Sequence, residues 1–370
     1  MSRALGRQML RETPVLFLLF AAAGCGPSVA VDSSSGKTPP IEHVPDPAEV
    51  DDCAAGDPVT IAMGRAPEGL TLGEGKLFFT DRGGLYDCDG AVYAVPLAGG
   101  EPQALATELC APTRIVYADR ALYWVSHSGY VAPNGYVKRL SLEDGTVEDI
   151  AVGLVSPDAI AIDERYIYVG EEPDDSELQS PGLLRRIDRV TNESEILGES
   201  RGRVADITVD DEYVSWSGSV GFLNGQENHD SGVWRVPKEG GAAVEILTGL
   251  AWPFGLSRVG SRVVFAHSHD GEIVSVGADG ADPQVLTEGL AYPNDVAVDA
   301  EGEVYFGSGD NGSDGPRGLF AVPLDGSAPR RLVAEVIGSP DQVALGSTCV
   351  YWTERYVDDD FNGVVRKTRR

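Results

Sequence analysis

From Asp57 to the C-terminus one unit recurs seven times at intervals of 40 to 50 residues. Internal periodicity of that size limits the fold to a propeller or a solenoid. Each copy opens on a short strand: Pro67-Glu-Gly-Leu, Pro112-Thr-Arg-Ile, Pro157-Asp-Ala-Ile, Val204-Ala-Asp-Ile, Pro253-Phe-Gly-Leu, Pro293-Asn-Asp-Val and Pro340-Asp-Gln-Val. An aromatic or β-branched strand follows, as at Leu77-Phe-Phe-Thr, Leu122-Tyr-Trp-Val and Val350-Tyr-Trp-Thr. A variable loop then closes on a glycine (Gly90, Gly135, Gly182, Gly232, Gly271, Gly318, Gly363), read as the positive φ a hairpin needs. An alternating third strand and a fourth complete a four-stranded meander. The seventh copy stops after its third strand, whereas an orphan strand from Pro58 to Met63 precedes the first copy in the register of a fourth. The two ends complete one another. The expected fold is all-β, a seven-bladed β-propeller of four-stranded antiparallel blades, its last blade closed by the N-terminal strand.

The 58 acidic against 29 basic residues give a net charge of −29, which repels polyanions and excludes nucleic acid as a partner. At the N-terminus, Arg3, Arg7 and Arg11 precede an apolar run from Pro14 to Ala23, the layout of an export signal and too short for a membrane span. Ala22-Ala23-Gly24-Cys25 resembles the lipobox of bacterial lipoproteins. That resemblance implies cleavage after residue 24 and acylation of Cys25, palmitate included. An ordinary signal cut near Ala23 is the alternative. Gly26, where an inner-membrane retention signal has Asp, implies the outer membrane. Residues 25–56, rich in Pro, Ser and acids, read as a flexible tether, and 57–370 as a single domain. The lipid would be the sole membrane contact of a monomer.

Cys53, Cys88, Cys110 and Cys349 remain, an even number for an oxidising compartment. In a blade, the loops after strands two and four share one face, and those after one and three the other. Cys88 and Cys110 fall on the first face and Cys349 and Cys53 on the second, so the expected disulfides are Cys88 with Cys110 and Cys53 with Cys349.

Tyr351-Trp352-Thr353-Glu354 and Leu122-Tyr123-Trp124 resemble the YWTD propeller module. Pro157-Asp-Ala-Ile-Ala-Ile-Asp163 is similar to NHL-type and SMP-30/gluconolactonase-type propellers. Many members of the YWTD and SMP-30 groups have six blades, one fewer than here. Just after each blade proline lie Glu68, Thr113, Asp158, Ala205, Phe254, Asn294 and Asp341, followed by Arg114, Asp206, Asp295 and Gln342. Oxygen donors of this kind suit a hard cation such as Ca²⁺. The SMP-30 resemblance implies Glu68, Asn294 and Asp341 as its ligands. The alternative is that these side chains cap backbone N–H groups at the start of strand one.

A second ring, at the end of strand two, reads Asp81, Ser126, Glu171, Gly218, His267, Ser308 and Glu354. His127, His229, His267 and His269 fall on the same face, where imidazoles could move protons, unless they are simply tolerated in polar loops. The expected site comprises Arg114, Asp158, Glu171, His267, His269 and Asp295 for ligand, with His267 or His127 for proton transfer. Asp358 to Gly363 and Asp310 to Gly315 fit the opening of a calcium loop or an ordinary acidic hairpin. No serine-hydrolase elbow, zincin motif, C-x-x-C or phosphate loop occurs. The expected function is a lipid-tethered module binding a small ligand or protein through an acidic loop face. The alternative is a Ca²⁺-dependent hydrolase or lyase of the lactonase type.

Overall fold

The computed structural model describes residues 51, 53, 58–84, 88–127, 134–172, 181–220, 230–309, 315–355, 357 and 362–370. The chain divides into units 1–38 and 39–370, and every described residue lies in the second. The export signal, Cys25, most of the tether, His229 and most of both acidic turns lie outside the described residues.

Among the described residues, twenty-eight strands form seven four-stranded antiparallel sheets. Six sheets use four consecutive strands, the first being Pro67–Gly73, Lys76–Asp81, Gly90–Pro96 and Gln103–Leu109. The seventh joins Ser339–Leu345, Cys349–Arg355 and Gly363–Arg369 to the N-terminal strand Val59–Gly64, with Val59 opposite Lys367 and Gly64 opposite Gly363. This is the seven-bladed propeller closed by strands from both ends of the domain. First strands of successive blades adjoin one another around the axis.

Second strands are sandwiched between neighbouring blades, which explains their unbroken apolar runs. Phe79, Trp124, Tyr168, Trp216, Phe265, Phe306 and Trp352 all sit there, each fully buried. Both disulfides join the expected partners, Cys53 to Cys349 and Cys88 to Cys110. Beside the first, buried Asp51 accepts hydrogen bonds from Thr348 N at 2.7 Å, Cys349 N at 3.1 Å and the Tyr351 hydroxyl at 3.2 Å. The segment before the domain is thus fastened to the turn between the first two strands of the last blade.

The loop-closing glycines depart from expectation. Only Gly271 and Gly318 among the seven have positive φ. At Gly90, Gly135 and Gly363 the reason is space, because a Cβ would strike the proline that opens the next blade: Pro112, Pro157 and Pro67 respectively. The glycine lets each third strand abut the following blade.

Candidate functional site

Every first strand carries a register irregularity within its first five residues, as between Pro67 and Leu70 or Pro340 and Val343. A bulge breaks the two-residue alternation, so the two residues after the blade proline do not follow the normal in-and-out pattern. The second of them straps blades together. Asp206 accepts from Leu256 N at 2.6 Å, Asp295 from Val343 N at 2.9 Å and Gln342 from Leu70 N at 2.5 Å. The expected ligand residue Asp295 is therefore occupied by the next blade. Burial raises its pKa to about 7 in spite of nearby Arg114.

The ring at the end of strand two is a set of clasps. Asp81 accepts from Arg65 N at 2.8 Å and Ala66 N at 2.9 Å, Glu171 from Val155 N at 2.9 Å, and Ser308 from Ala291 N at 3.0 Å. Glu354 accepts from Ile337 N at 2.7 Å and Gly338 N at 2.9 Å. His267 does the same work: Nε2 accepts from Ala251 N at 3.0 Å, which leaves the proton on Nδ1, 3.2 Å from Glu272 Oε2. Each clasp holds the connection that leads into its blade's own first strand. His267 thus has both ring nitrogens hydrogen-bonded and only 5% of its surface exposed. Glu171 is likewise a clasp and is also bonded to Arg185 at 2.6 Å.

His267, Asp270 and Glu272 bring ligand atoms within 4.8 Å of one another. A metal on Nε2 would strip Ala251 N–H of its acceptor, and one on Nδ1 would require an imidazolate.

One residue beyond the clasps the chain turns to the channel mouth. The residues at these positions are Arg82, His127, Glu172, Ser219, Ser268, Gly309 and Arg355, of which Ser268 is instead buried and donates to Pro293 O of the next blade. Arg355 spans Glu68 at 2.7 Å and Asp341 at 2.9 Å, and Arg82 lies 3.4 Å from the same Glu68 oxygen. Two of the three expected Ca²⁺ ligands are therefore bridged by a guanidinium, and the third, Asn294, donates to Pro340 O at 3.3 Å. The set does not fit a divalent ion. On the other flank, Arg203 meets Glu172 at 3.1 Å and Asp158 at 3.2 Å, while His127 Nε2 lies 3.3 Å from Glu172. The Glu172 hydrogen bond lifts the His127 pKa, against burial. Glu172 is held below its usual range: burial pushes upward, but His127 and Arg203 outweigh it.

The third side of the mouth is aromatic. Tyr292 packs edge-on to Trp252 and against Phe254, both at 6.2 Å between centroids, and Arg203 stacks 4.9 Å from the Phe254 ring. His269 sits edge-on to Trp252, also at 6.2 Å. Trp252 holds a φ of +56°, uncommon for so large a residue. The charge of Arg114 interacts with Asp158, Asp206, Asp295 and Asp341. The mouth is therefore not an acidic ring open to cations, because Arg82, Arg114, Arg203 and Arg355 counter its carboxylates.

Of the expected residues, Glu68, Arg114, His127, Asp158, Asn294 and Asp341 do gather at this mouth, with His269 at its aromatic edge. Arg82, Glu172, Arg203, Trp252, Phe254, Tyr292 and Arg355 were not among them. The position before each blade proline carried a signal: Ala66, Ala111, Ser156, Arg203, Trp252, Tyr292 and Ser339 are small on one side of the ring and large on the other.

No protein-family model matches the chain, and no curated protein matches it. Solved structures do. An oligogalacturonate lyase in complex with manganese aligns at a TM-score of 0.58 and 14% identity, over 86% of this chain and 98% of that one. The computationally designed Ika8 protein aligns at 0.55 and 13%, over 85% and 100%. A chain of a nidogen–laminin complex aligns at 0.46 and 16%, over 63% and 84%. At these identities the first two likenesses show the propeller fold and nothing finer.

Proposed function

We propose that this domain is a non-enzymatic binding module that takes a small polar ligand at the channel mouth. We place it on an exported lipoprotein held at the outer membrane through Cys25. Two disulfides suit the oxidising side of a membrane. The observation that carries the reading is Arg355 lying between Glu68 and Asp341. A divalent ion held between Glu68 and Asp341 would have to displace this guanidinium from both carboxylates. An arginine bridge instead preforms a rigid, polar wall opposite the rings of Trp252, Phe254 and Tyr292. A concave site with a few fixed polar groups and an apolar side is the usual form of a small-ligand pocket.

Metal content of the purified protein, with melting curves with and without a chelator, tests the reading. The expected result is no stoichiometric divalent ion and an unchanged melting temperature. One ion per chain, with a chelator-induced fall in melting temperature, would return the hydrolase or lyase to first place. Mass spectrometry of the native N-terminus tests the anchor: acylated Cys25 is expected, and a free N-terminus near Ala23 would remove it.

A further inference from the structure

We infer that Asp51 and Cys53 form a latch: Asp51 supplies the last blade with a turn carboxylate that the blade's own sequence lacks, and the two residues together keep the closing strand Val59–Gly64 from fraying off the ring. The latch does not depend on acylation of Cys25 or on what the channel mouth binds.

The third, fourth and sixth blades each place an aspartate in the turn between their first two strands. Asp163 accepts hydrogen bonds from Arg165 N at 2.9 Å, Tyr166 N at 2.7 Å and the Tyr168 hydroxyl at 2.9 Å. Asp210 accepts from Glu212 N at 2.6 Å and Tyr213 N at 2.8 Å, and Asp299 from Glu303 N at 2.8 Å and the Tyr305 hydroxyl at 3.3 Å. Asp163 stands five residues before Tyr168, and the residue five before Tyr351 in the last blade is Gly346. The backbone of the two turns is the same: Asp163 N donates to Tyr166 O at 3.0 Å, and Gly346 N to Cys349 O at 2.9 Å. The missing carboxylate arrives from outside the repeat. Asp51 accepts from Thr348 N, Cys349 N and the Tyr351 hydroxyl, donors that correspond one for one to Arg165 N, Tyr166 N and the Tyr168 hydroxyl. A Cβ at Gly346 would collide with the Asp51 carboxylate, so a side chain on that residue and the carboxylate from the N-terminal segment compete for one space.

Further contacts pin the same segment. The Thr348 hydroxyl donates to Asp51 O and accepts from Cys53 N at 3.3 Å, Ser347 Oγ donates to the Asp51 carboxylate, and the disulfide joins Cys53 to Cys349. The closing strand follows next in the chain. It is the outer strand of its sheet, paired among the described residues with Gly363–Arg369 alone. A strand with one neighbour opens from its free end, and here that end is Val59, opposite Lys367. The latch removes the free end by fixing residues 51 and 53 to the start of Cys349–Arg355, a buried strand with a neighbour on each side. A pull on the chain ahead of residue 51 then meets Asp51 and the disulfide before it meets the closing strand. The turn that holds the latch lies at the opposite end of the strands from the channel mouth, so the load does not cross the candidate site.

The test is amide hydrogen exchange of the full-length protein, read at residues 59–64 and 347–351 with the third blade as internal control. Cys53→Ser with Cys349→Ser removes the disulfide and leaves Asp51 in place, and both segments are expected to remain slow. Adding Asp51→Ala is expected to speed exchange in both by about tenfold or more, with the third blade unchanged. Adding Gly346→Asp to that protein returns a carboxylate to the turn from within the blade. It is expected to restore 347–351 and leave 59–64 fast. Exchange unaltered by Asp51→Ala overturns the inference. Gly346→Asp restoring neither segment overturns it too, because a carboxylate is then not what the turn lacks. If Gly346→Asp restores both, Asp51 serves the turn without holding the segment, and the latch is wrong. Should the protein without the disulfide fail to fold, Asp51→Ala is compared with Asp51→Ala plus Gly346→Asp in the disulfide-bonded protein. There 347–351 must quicken and recover in the same way, and failure to do so overturns the inference equally.

Discussion

Two rings of polar residues lie one position apart in the sequence and do opposite work. Asp81, Glu171, His267, Ser308 and Glu354 end their strands and point back to clasp the connection into the same blade. Arg82, His127, Glu172 and Arg355 follow directly and point to the channel, where they pair with residues from other blades or, for Arg82, with Glu68. Successive strand residues face opposite ways, so a shift of one position separates a scaffold residue from a site residue. Chemical type does not tell the rings apart, since both contain acids and a histidine. Partner and direction do.

Substitutions can break or sharpen that contrast. Glu354→Ala should have the largest effect, because this fully buried carboxylate also holds Arg366 at 2.7 Å and Trp352 Nε1 at 2.8 Å. Urea unfolding should show a loss of about 3–5 kcal/mol, as for a broken buried ion pair, whereas a change below about 1 kcal/mol would deny it the clasp role. Gly135→Ala drives a methyl group into Pro157 and should cost about 1–3 kcal/mol by overpacking, read by the same unfolding assay. His267→Ala should cost about 1–2 kcal/mol by leaving Ala251 N–H and Glu272 unpaired, with ligand affinity unaltered. Affinity lost without a change in stability would move His267 into the mouth ring.

The smallest effect is a pH dependence at His127. Its folded pKa lies above the ordinary value near 6.5 because of Glu172. The stabilisation is fully present below the unfolded-state pKa and is lost as pH rises through the folded one. Wild type should therefore lose a little stability across that window, and His127→Gln should lose that component of the slope. Equal slopes in the two proteins would show that the His127–Glu172 contact contributes nothing.

The blades could be read from the sequence because their signals are local: a proline, an aromatic strand and a glycine in fixed order, seven times. The disulfides followed from faces alone. The site was harder for two reasons. The bulge after each blade proline suspends the alternation by which a side chain's direction is inferred, so Asp295 and Asp341 were both expected at the site although one straps a blade and the other pairs with Arg355. Pairing across the ring was also invisible, since Arg355 and Glu68 are 287 residues apart and meet only because the last blade closes beside the first. A column of acids therefore read as a cation site or as backbone caps, and its pairing with arginines could not be seen. The reason for the glycines was similarly hidden, because Gly135 and Pro157 touch across blades and not within a turn.

The central claim, that a guanidinium and not a metal joins Glu68 to Asp341, is tested most directly by a crystal structure of the protein grown with manganese, with anomalous data. The account predicts Arg355 hydrogen-bonded to both carboxylates and no anomalous peak between them. A manganese peak coordinated by Glu68, Asn294 and Asp341, with Arg355 swung away, would contradict it.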